Sequence, residues 1–307
     1  MKPLKPWFVI INPTSGNGSG KRKWPKIKSL LELEEFKFDF AFTEYENHSI
    51  ELVQNAINEG VKNIVGVGGD GTLHNIINGI NKQDSVTSSG VKVGIIPIGT
   101  GNDWIKTYNI PLDIKEAIAI IKKGKTKLQD LGKIAFLENN HEPIFFNNLA
   151  GIGFDGYVVS KVGKYKHLGA LAYLFGAIIG LFSFKNFEAT IKLNKKEIKT
   201  KSLMILAGIC KFSGGGMRLT EEPLPEDGLF DISIAKNLSK LEIITNLFSL
   251  FNGNIVKHPK VETYKVNELS IVVNSDNKPF IQADGELIGK GNIRLEIVPK
   301  AFSFFVK

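Results

Sequence analysis

Three short glycine-rich segments carry the residue types that could bind a phosphorylated ligand. The first, Asn12–Gly16 (NPTSG), runs on to Gly20, Lys21 and Arg22. Backbone N–H groups of a Gly/Ser loop before a helix can hold phosphate, and lysine and arginine add positive charge. The spacing excludes a P-loop, because Gly16 and Gly20 are one residue too close and Arg22 stands where Ser or Thr should bind magnesium. A flexible exposed turn explains this segment equally well.

The second segment, Gly66–Thr72 (GVGGDGT), places a carboxylate inside a turn of the type that binds phosphate. It contains G-x-G-x-x-G, but Gly151–Gly156 fits that pattern too, and the acid that a dinucleotide fold needs about 20 residues later is missing. Because an anion repels phosphate unless a cation intervenes, Asp70 indicates Mg²⁺ beside a bound triphosphate. The alternative is that Asp70 caps the helix that follows it.

The third segment, Gly99–Asp103 (GTGND), combines a hydroxyl, an amide and a carboxylate directly after a strand-like run. In open parallel sheets, ligands bind beyond the carboxyl ends of the strands. Three such segments at one sheet edge are better explained by phosphate binding than by three unrelated turns.

The first third of the chain alternates predicted strands and helices, which indicates an α/β domain with a parallel sheet covered on both faces. The predicted strands are Trp7–Ile11, Phe36–Phe42, Asn63–Val67 and Val91–Ile96. The predicted helices are Lys23–Leu33, Ile50–Glu59, Thr72–Gly79 and Ile114–Lys122.

After about Lys127 short strand-like runs dominate, which predicts a mostly antiparallel, sandwich-like β domain. The runs are Lys127–Phe136, Ile144–Leu149, Glu188–Leu193, Glu197–Ala207, Leu229–Ile234, Lys260–Lys265, Leu269–Val273, Pro279–Ala283 and Asn292–Val298. Two helical insertions are predicted, at Leu168–Phe182 and Lys240–Phe251. The expected domains are therefore residues 1–128 and 129–298, and a last strand within 299–307 returns to the first domain.

Composition limits the class of protein. The chain has 307 residues, 43% apolar and 23% charged, which is typical of soluble globular proteins. A net charge of +8 suits an anionic partner, but the Lys and Arg residues are dispersed without a recognition module, so we expect no nucleic-acid binding. A single cysteine excludes a disulfide framework and a Cys-rich zinc site. The start of the chain lacks a signal-peptide pattern, which predicts a cytoplasmic protein.

In their order and spacing, NPTSG, GGDGTL and GTGND resemble the motifs of the diacylglycerol kinase catalytic domain family. The resemblance extends to soluble bacterial lipid kinases and to the wider NAD kinase/diacylglycerol kinase-like superfamily. It continues through four further segments and covers nearly the whole chain: Asn148–Asp155 (NLAGIGFD), Gly214–Met217, Leu224–Leu229 (LPEDGL) and Asp284–Glu286 (DGE).

The resemblance implies an ATP-dependent lipid kinase with ATP and Mg²⁺ as cofactors and ATP in the cleft between an ATP-binding domain and a lipid-acceptor domain. The family pattern places nucleotide contacts at Asn12, Pro13, Thr14, Ser15, Gly16, Thr43, Gly68, Gly69, Asp70, Gly71, Thr72, Thr100 and Asp103. Glu286 is the implied general base, with Asp70 as the second catalytic residue. A structural magnesium ion is implied at the carbonyls of Leu224 and Leu229 and the carboxylate of Asp227.

The chain departs from the family pattern at two places, and both concern the identity of the lipid. His74-Asn75 follows GGDGTL where Asn-Glu is frequent, and Trp104–Lys106 replaces a more usual Phe-Ala-Arg. Diacylglycerol is the expected acceptor, with a sphingoid base or another lipid as the alternative and an NAD-kinase-like soluble enzyme as a weaker one. For Asp284 and Glu286 the alternative is a polar hairpin tip, since D-G is a common turn dipeptide.

Because the acceptor is a lipid, we expect peripheral contact with the inner membrane face. The resemblance to the family also suggests a homodimer. The apolar segment Leu168–Phe182 is shorter than the ~20 residues that span a bilayer. It is therefore expected to be a buried helix or an apolar element at the lipid entry.

Overall fold

The computed structural model describes residues 6–99, 101–138, 141–162, 183–275 and 277–307. The chain divides into two units, Met1–Gln129 with Lys300–Lys307 and Asp130–Pro299. Thr100 and the predicted helix Leu168–Phe182 lie outside the described residues.

The first unit is built on a parallel sheet. Its strands are β1 (Trp7–Ile11), β2 (Phe38–Phe42), β3 (Asn63–Gly68), β4 (Lys92–Pro97) and the end of β15 (Ile293–Phe305). They lie in the order β2-β1-β3-β4-β15, and every one of these pairings is parallel. The sheet confirms the predicted α/β class.

Four helices of the first unit follow the strands as predicted, whereas a short helix at Asp103–Thr107 was not predicted. The helices are α1 (Ser15–Leu33), α2 (His48–Asn58), α3 (Asp70–Asn81), α4 (Asp103–Thr107) and α5 (Ile114–Lys123), with a 3₁₀ turn at Ser88–Gly90. Apolar side chains of α1 and α5, such as Ile27 and Ile121, pack with Val9, Val65 and Ile96 of the strands. Strands that are buried along their length need the continuous apolar runs that this sequence shows.

The second unit is an antiparallel β structure, as predicted. Its strands are β5 (Thr126–Phe136), β6 (Ile144–Phe146), β7 (Leu149–Gly153), β8 (Phe187–Leu193), β9 (Lys196–Gly208), β10 (Phe230–Lys236), β11 (Val261–Val266), β12 (Glu268–Val273), β13 (Phe280–Ala283), β14 (Glu286–Lys290) and the first part of β15. The sheet order is β14-β13-β7-β9-β8-β12-β15, with β10 between β9 and β11 and β6 beside β5. The described helices are α6 (Phe154–Val162), α7 (Lys240–Thr245) and α8 (Leu247–Asn252), followed by a 3₁₀ turn at Asn254–Lys257.

Several elements of the second unit differ from the prediction, and strand β7 and helix α6 were not predicted at all. The predicted strand Ile144–Leu149 is broken at Asn147 and Asn148, because their amides bond to a carboxylate instead of a neighbouring strand. Strand β14 was not predicted, since its side chains are at most half-buried and its alternation is weak. The predicted helix Lys240–Phe251 is two short helices that meet at Asn246. Among the described helices, none is long and apolar enough to cross a membrane.

Candidate functional site

The three glycine-rich segments meet at the carboxyl ends of β1, β3 and β4 in the first unit. A methyl group added to Gly16 would lie 3.4 Å from the Gly99 nitrogen, and one added to Gly99 would lie 3.5 Å from the Gly69 Cα atom. The Asp70 amide donates to the Gly101 carbonyl oxygen over 3.1 Å. The predicted convergence of these loops is therefore present in the fold of this unit, at the sheet edge where α/β proteins bind ligands.

The first loop owes its shape to residues that tolerate left-handed backbone. Gly16, Asn17 and Gly18 have φ values of 57°, 55° and 78° in succession, a run that only glycine and asparagine adopt readily. Gly20 is required for a different reason, because a Cβ atom there would lie 2.0 Å from the Asn12 carbonyl oxygen. The sequence G-N-G-S-G thus turns the chain tightly out of β1 and into the regular part of α1.

Side chains of the first loop hydrogen-bond within the loop. The Asn12 Oδ1 atom accepts from the Thr14 amide (3.1 Å) and hydroxyl (2.9 Å). Arg22 donates to the Asn17 carbonyl oxygen and to the Ser19 hydroxyl, each over 2.8 Å. Arg22 therefore braces this loop, and the loop keeps a positive charge at the point where phosphate would bind.

Thr72 ties the second loop to the first. Its side chain is buried, and its hydroxyl accepts a hydrogen bond from the side-chain Nδ2 atom of Asn12 over 3.4 Å. A Cβ atom at Gly68 would lie 2.1 Å from the same hydroxyl, so the Thr72 side chain occupies space that only glycine at position 68 leaves open. Pro13, Ser15, Gly69 and Gly71 complete these two loops.

The Asp70 carboxylate joins the second loop to the third. Its Oδ2 atom accepts from the Asp103 amide over 2.9 Å, and Oδ1 accepts from the Trp104 amide over 3.4 Å. These amides open helix α4, whereas no side chain caps α3, the helix in which Asp70 itself lies. Asp70 thus caps a helix, but not the one that directly follows it. A carboxylate with two amide partners fits a metal ion held through water better than one held directly.

The third loop and the end of β2 contain the remaining residues that the resemblance implicates. Asp103 is buried and its carboxylate pairs with Lys106 over 2.6 Å. Thr43 directly follows β2 and is half-buried, and its amide donates to the Ile11 carbonyl oxygen at the end of β1. Thr43 is therefore next to the strand from which the first loop leaves. Thr100 lies outside the described residues.

In the second unit, Asp284 and Gly285 form the two-residue turn between β13 and β14. Their φ values, 52° and 79°, are those of a hairpin turn for which Asp-Gly is a preferred pair. The Asp284 carboxylate is nonetheless used: it accepts from the backbone amides of Asn147, Asn148 and Leu149 over 3.1, 2.9 and 3.3 Å. The turn is therefore a hairpin tip, as in the alternative interpretation, but one fixed to the loop between β6 and β7.

Gln282 and Asp155 support this turn from within the unit. The Gly285 amide donates to the Gln282 Oε1 atom over 2.8 Å, and Gln282 Nε2 donates to the Asp155 Oδ2 atom over 2.9 Å. Part of the Asp155 residue reaches the surface, but its Oδ1 atom is buried without a partner among the described residues. Burial raises the pKa of Asp155 to about 6, although the hydrogen bond from Gln282 opposes the shift.

The raised pKa of Asp155 makes stability depend on pH. The folded chain binds a proton at Asp155 up to about pH 6, whereas an unfolded aspartate loses it near pH ~4. We expect the stability contribution to fall as pH rises between these values, by about 3 kcal/mol in total. Asp155→Asn should remove that dependence, measured as its unfolding free energy minus that of the wild type from pH 4 to 7. The control variant Asp39→Asn, at an exposed aspartate, should keep the pH dependence of the wild type. If the free-energy difference between Asp155→Asn and the wild type did not change with pH, the assignment to Asp155 would be contradicted.

The turn implied as a metal site folds around Asp227. The Asp227 amide donates to the Leu224 carbonyl oxygen over 3.3 Å, and its Oδ1 atom accepts from the Leu229 amide over 3.0 Å. The Lys265 ammonium lies 3.5 Å from Asp227 Oδ2 and 3.0 Å from an oxygen of Asp231. Leu224, Asp227 and Leu229 thus belong to one turn. The Lys265 ammonium, from strand β11, already neutralises the carboxylates of Asp227 and Asp231. Among the described residues, no three His, Cys, Asp or Glu side chains form a metal-binding group.

Several residues of these sites were not predicted from the sequence. Gln282 and Lys265 carry no local motif, because the carboxylates that they contact, Asp155 and Asp227, lie far away in the chain. Asn147 and Asn148 offered a signal, because two buried asparagines between apolar runs interrupt a strand pattern. Asp155 was noted only as part of NLAGIGFD.

A parallel α/β unit with three glycine-rich loops at one sheet edge, followed in the chain by an antiparallel β unit, is the fold of the NAD kinase-like and diacylglycerol kinase-like class. Two family models match the chain: "Diacylglycerol kinase catalytic domain" over residues 6–134, and "YegS C-terminal NAD kinase beta sandwich-like domain" over residues 148–306. The chain belongs to the diacylglycerol kinase catalytic domain family, and it is a lipid kinase.

Individual relatives agree with this assignment. The chain is 30% identical to a diacylglycerol kinase of Staphylococcus saprophyticus, with 92% of this chain and 89% of the relative covered. A Bacillus subtilis protein with a provisional lipid-kinase name is 29% identical, with 95% of this chain and 97% of that protein covered. A crystal structure of a Bacillus anthracis diacylglycerol kinase matches with a TM-score of 0.72 at 20% identity, and the match covers 100% of this chain and 98% of that chain. This match supports the fold.

Proposed function

We propose that this lipid kinase transfers the γ-phosphate of ATP to a hydroxyl group of diacylglycerol. The observation that carries the proposal is the meeting of three glycine-rich loops at the carboxyl ends of β1, β3 and β4. Diacylglycerol is the acceptor that the names of relatives such as the Staphylococcus enzyme favour. A sphingoid base uses the same chemistry and is the alternative acceptor.

The nucleotide would be held by the loops of the first unit. Backbone amides of Asn12–Gly16 and of Gly68–Thr72 would bind the phosphates, with Thr43, Thr100 and Asp103 completing the set. Asp70 would hold the third loop in place and orient water on Mg²⁺, which when bound supplies charge neutralisation for the transferred phosphoryl group. This arrangement is supported by the hydrogen bonds from the Asp103 and Trp104 amides to Asp70.

Glu286 would act as the general base. The lipid hydroxyl oxygen attacks the γ-phosphorus, a phosphate ester bond forms, and the bond to the β-phosphate oxygen breaks to release ADP. The hydroxyl proton passes to the Glu286 carboxylate and from there to water. Hydrogen bonds hold the turn before Glu286: the Asp284 carboxylate accepts from the amides of Asn147–Leu149, and the Gly285 amide donates to the Gln282 Oε1 atom.

We also propose a structural magnesium ion at Leu224, Asp227 and Leu229. The proposal is supported by the position of these three residues in one turn. The Lys265 ammonium competes with the ion, because it lies 3.5 Å from the Asp227 carboxylate. If the ion is present, EDTA should lower the melting midpoint of the wild type, and Asp227→Asn should melt at the same temperature with or without EDTA. A wild-type midpoint that EDTA leaves unchanged would assign the role to Lys265.

The acceptor implies contact with a membrane, so the chain is proposed to work peripherally at the inner membrane face. A homodimer stays a prediction from the resemblance.

The test is magnesium-dependent ADP release from the full chain, with mixed micelles that carry one candidate lipid at a time. Turnover with diacylglycerol supports the proposal. Turnover only with a sphingoid base keeps the mechanism and changes the acceptor. NAD is included as a soluble control. If the chain phosphorylates NAD but none of the lipids, the lipid acceptor is rejected.

A further inference from the structure

Helices α7 and α8 of the second unit present an exposed apolar stripe. Leu241 is 71% exposed and Phe248 is 87% exposed, and Ile244 and Phe251 lie between and beyond them at 36% and 43%. Within each of the two short helices, a spacing of three residues puts the two apolar side chains on the same side, Leu241 with Ile244 and Phe248 with Phe251. Single exposed apolar residues are common on protein surfaces, but a contiguous stripe of four marks an interaction site.

The stripe is held on a fixed element. The Asn246 amide donates to the carbonyl oxygens of Glu242 and Ile243, so the helical path continues from α7 towards α8. The opposite face of α7 packs through Ile243 against the buried cluster Leu203, Ala235 and Leu238. Because the inward face is already packed, the outward stripe cannot turn into the core of its own unit without unpacking Ile243.

Charge around the stripe favours an anionic partner. Lys240 and Lys257 are exposed at the two ends of the helical pair. The carboxylate within it, Glu242, is bound by Lys260 over 2.8 Å, and hydrogen bonds from Lys260 and then Ser239 lower its pKa to about 2. The Lys260 ammonium therefore balances the Glu242 carboxylate, which stays ionised, and the exposed lysines place positive charge beside the stripe.

We infer that the stripe Leu241–Phe251 docks on a lipid bilayer that contains anionic lipid. An apolar face edged with lysine is the pattern of helices that lie in the membrane interface, where buried apolar area and attraction to anionic headgroups add. A second copy of this chain is a poorer occupant, because it would bring lysine-edged faces of two chains with a net charge of +8 together. The inference rests on the proposed function in one respect: a lipid acceptor is what brings the chain to a bilayer.

The test is co-sedimentation of the full chain with vesicles of phosphatidylcholine alone, or mixed equally with phosphatidylglycerol, in the absence of ATP. We expect binding to the mixed vesicles and a loss of binding of at least ~10-fold in the variant Leu241→Ser/Phe248→Ser, because both side chains lose the apolar burial that the bilayer would give them. Leu33→Ser/Leu112→Ser is the matched control, since Leu33 and Leu112 are 76% and 67% exposed in the first unit. This control should bind as the wild type does.

A second variant keeps the test independent of folding. Phe248→Trp adds an exposed indole, whose emission should shift to the blue when mixed vesicles are added. Equal vesicle binding by the stripe variant and the control, or no emission shift, overturns the inference. So does concentration-dependent self-association that Leu241→Ser/Phe248→Ser abolishes, since the stripe would then bind a second copy. Turnover of a water-soluble short-chain diacylglycerol reports on the proposed function separately, because that substrate needs no bilayer.

Discussion

Glu286→Gln should fold normally and lose at least ~100-fold in turnover with diacylglycerol, the lower range for removal of a general base. Glutamine keeps the size of the side chain and one acceptor oxygen but cannot take a proton from the lipid hydroxyl. Glu286 opens β14 directly after a turn whose Asp284 carboxylate holds three backbone amides. A neutral side chain at position 286 should therefore leave the turn in place and change only the chemistry.

The measurement is kcat from ADP release, with KM for ATP and the melting midpoint recorded in parallel. Glu268→Gln is a matched control, because Glu268 is also a glutamate on an antiparallel strand and pairs with Arg294 over 2.8 Å. This control should keep its turnover. If Glu286→Gln turned over lipid at a near-normal rate, Glu286 would have no part in proton transfer, while ATP binding by the first unit would stand.

The sheet of the first unit could be predicted because its signals are local. Trp7–Ile11 is an unbroken apolar run, which matches β1 residue for residue. Turn-forming residues end two further strands, β3 at Gly68 and β4 at Pro97. The signal for the first loop is also local, since Gly16, Asn17 and Gly18 are residue types that readily adopt left-handed backbone. The carboxyl ends of neighbouring parallel strands must then share one edge, so the meeting of the loops follows from the class of fold.

The partners of the site side chains could not be predicted in the same way. Asp70 reads locally as a cap of α3, but the backbone that it caps starts 33 positions later, at Asp103. Asp284 reads as a turn residue, yet its carboxylate bonds to amides more than a hundred positions earlier in the chain. Such contacts depend on the tertiary fold, which leaves no periodicity or spacing in the sequence. Lys265 beside Asp227 is a third example of the same kind.

Asp70→Asn should also lose about 100-fold in turnover, for a reason that lies in the second and third loops. Asparagine retains one acceptor oxygen, so one of the amides of Asp103 and Trp104 would face an NH₂ group where it now has a carboxylate oxygen. The start of α4 would shift away from Gly69 and Gly99, and the loop amides proposed to hold the transferred phosphate would lose their alignment. Loss of one such preorganised contact typically costs 10²–10³-fold in rate, roughly 3–4 kcal/mol.

Magnesium titration separates the two roles that Asp70 could have. If Asp70 orients water on the metal ion, Asp70→Asn should need more Mg²⁺ to reach half of its own maximal rate. If Asp70 only positions α4, kcat falls and the Mg²⁺ dependence is that of the wild type, which would contradict metal recruitment. Asp113→Asn is the matched control, because the Asp113 carboxylate also accepts two amides at a helix start, over 2.9 and 3.1 Å, outside the three loops. It should leave both stability and turnover close to those of the wild type, because asparagine caps a helix about as well as aspartate does.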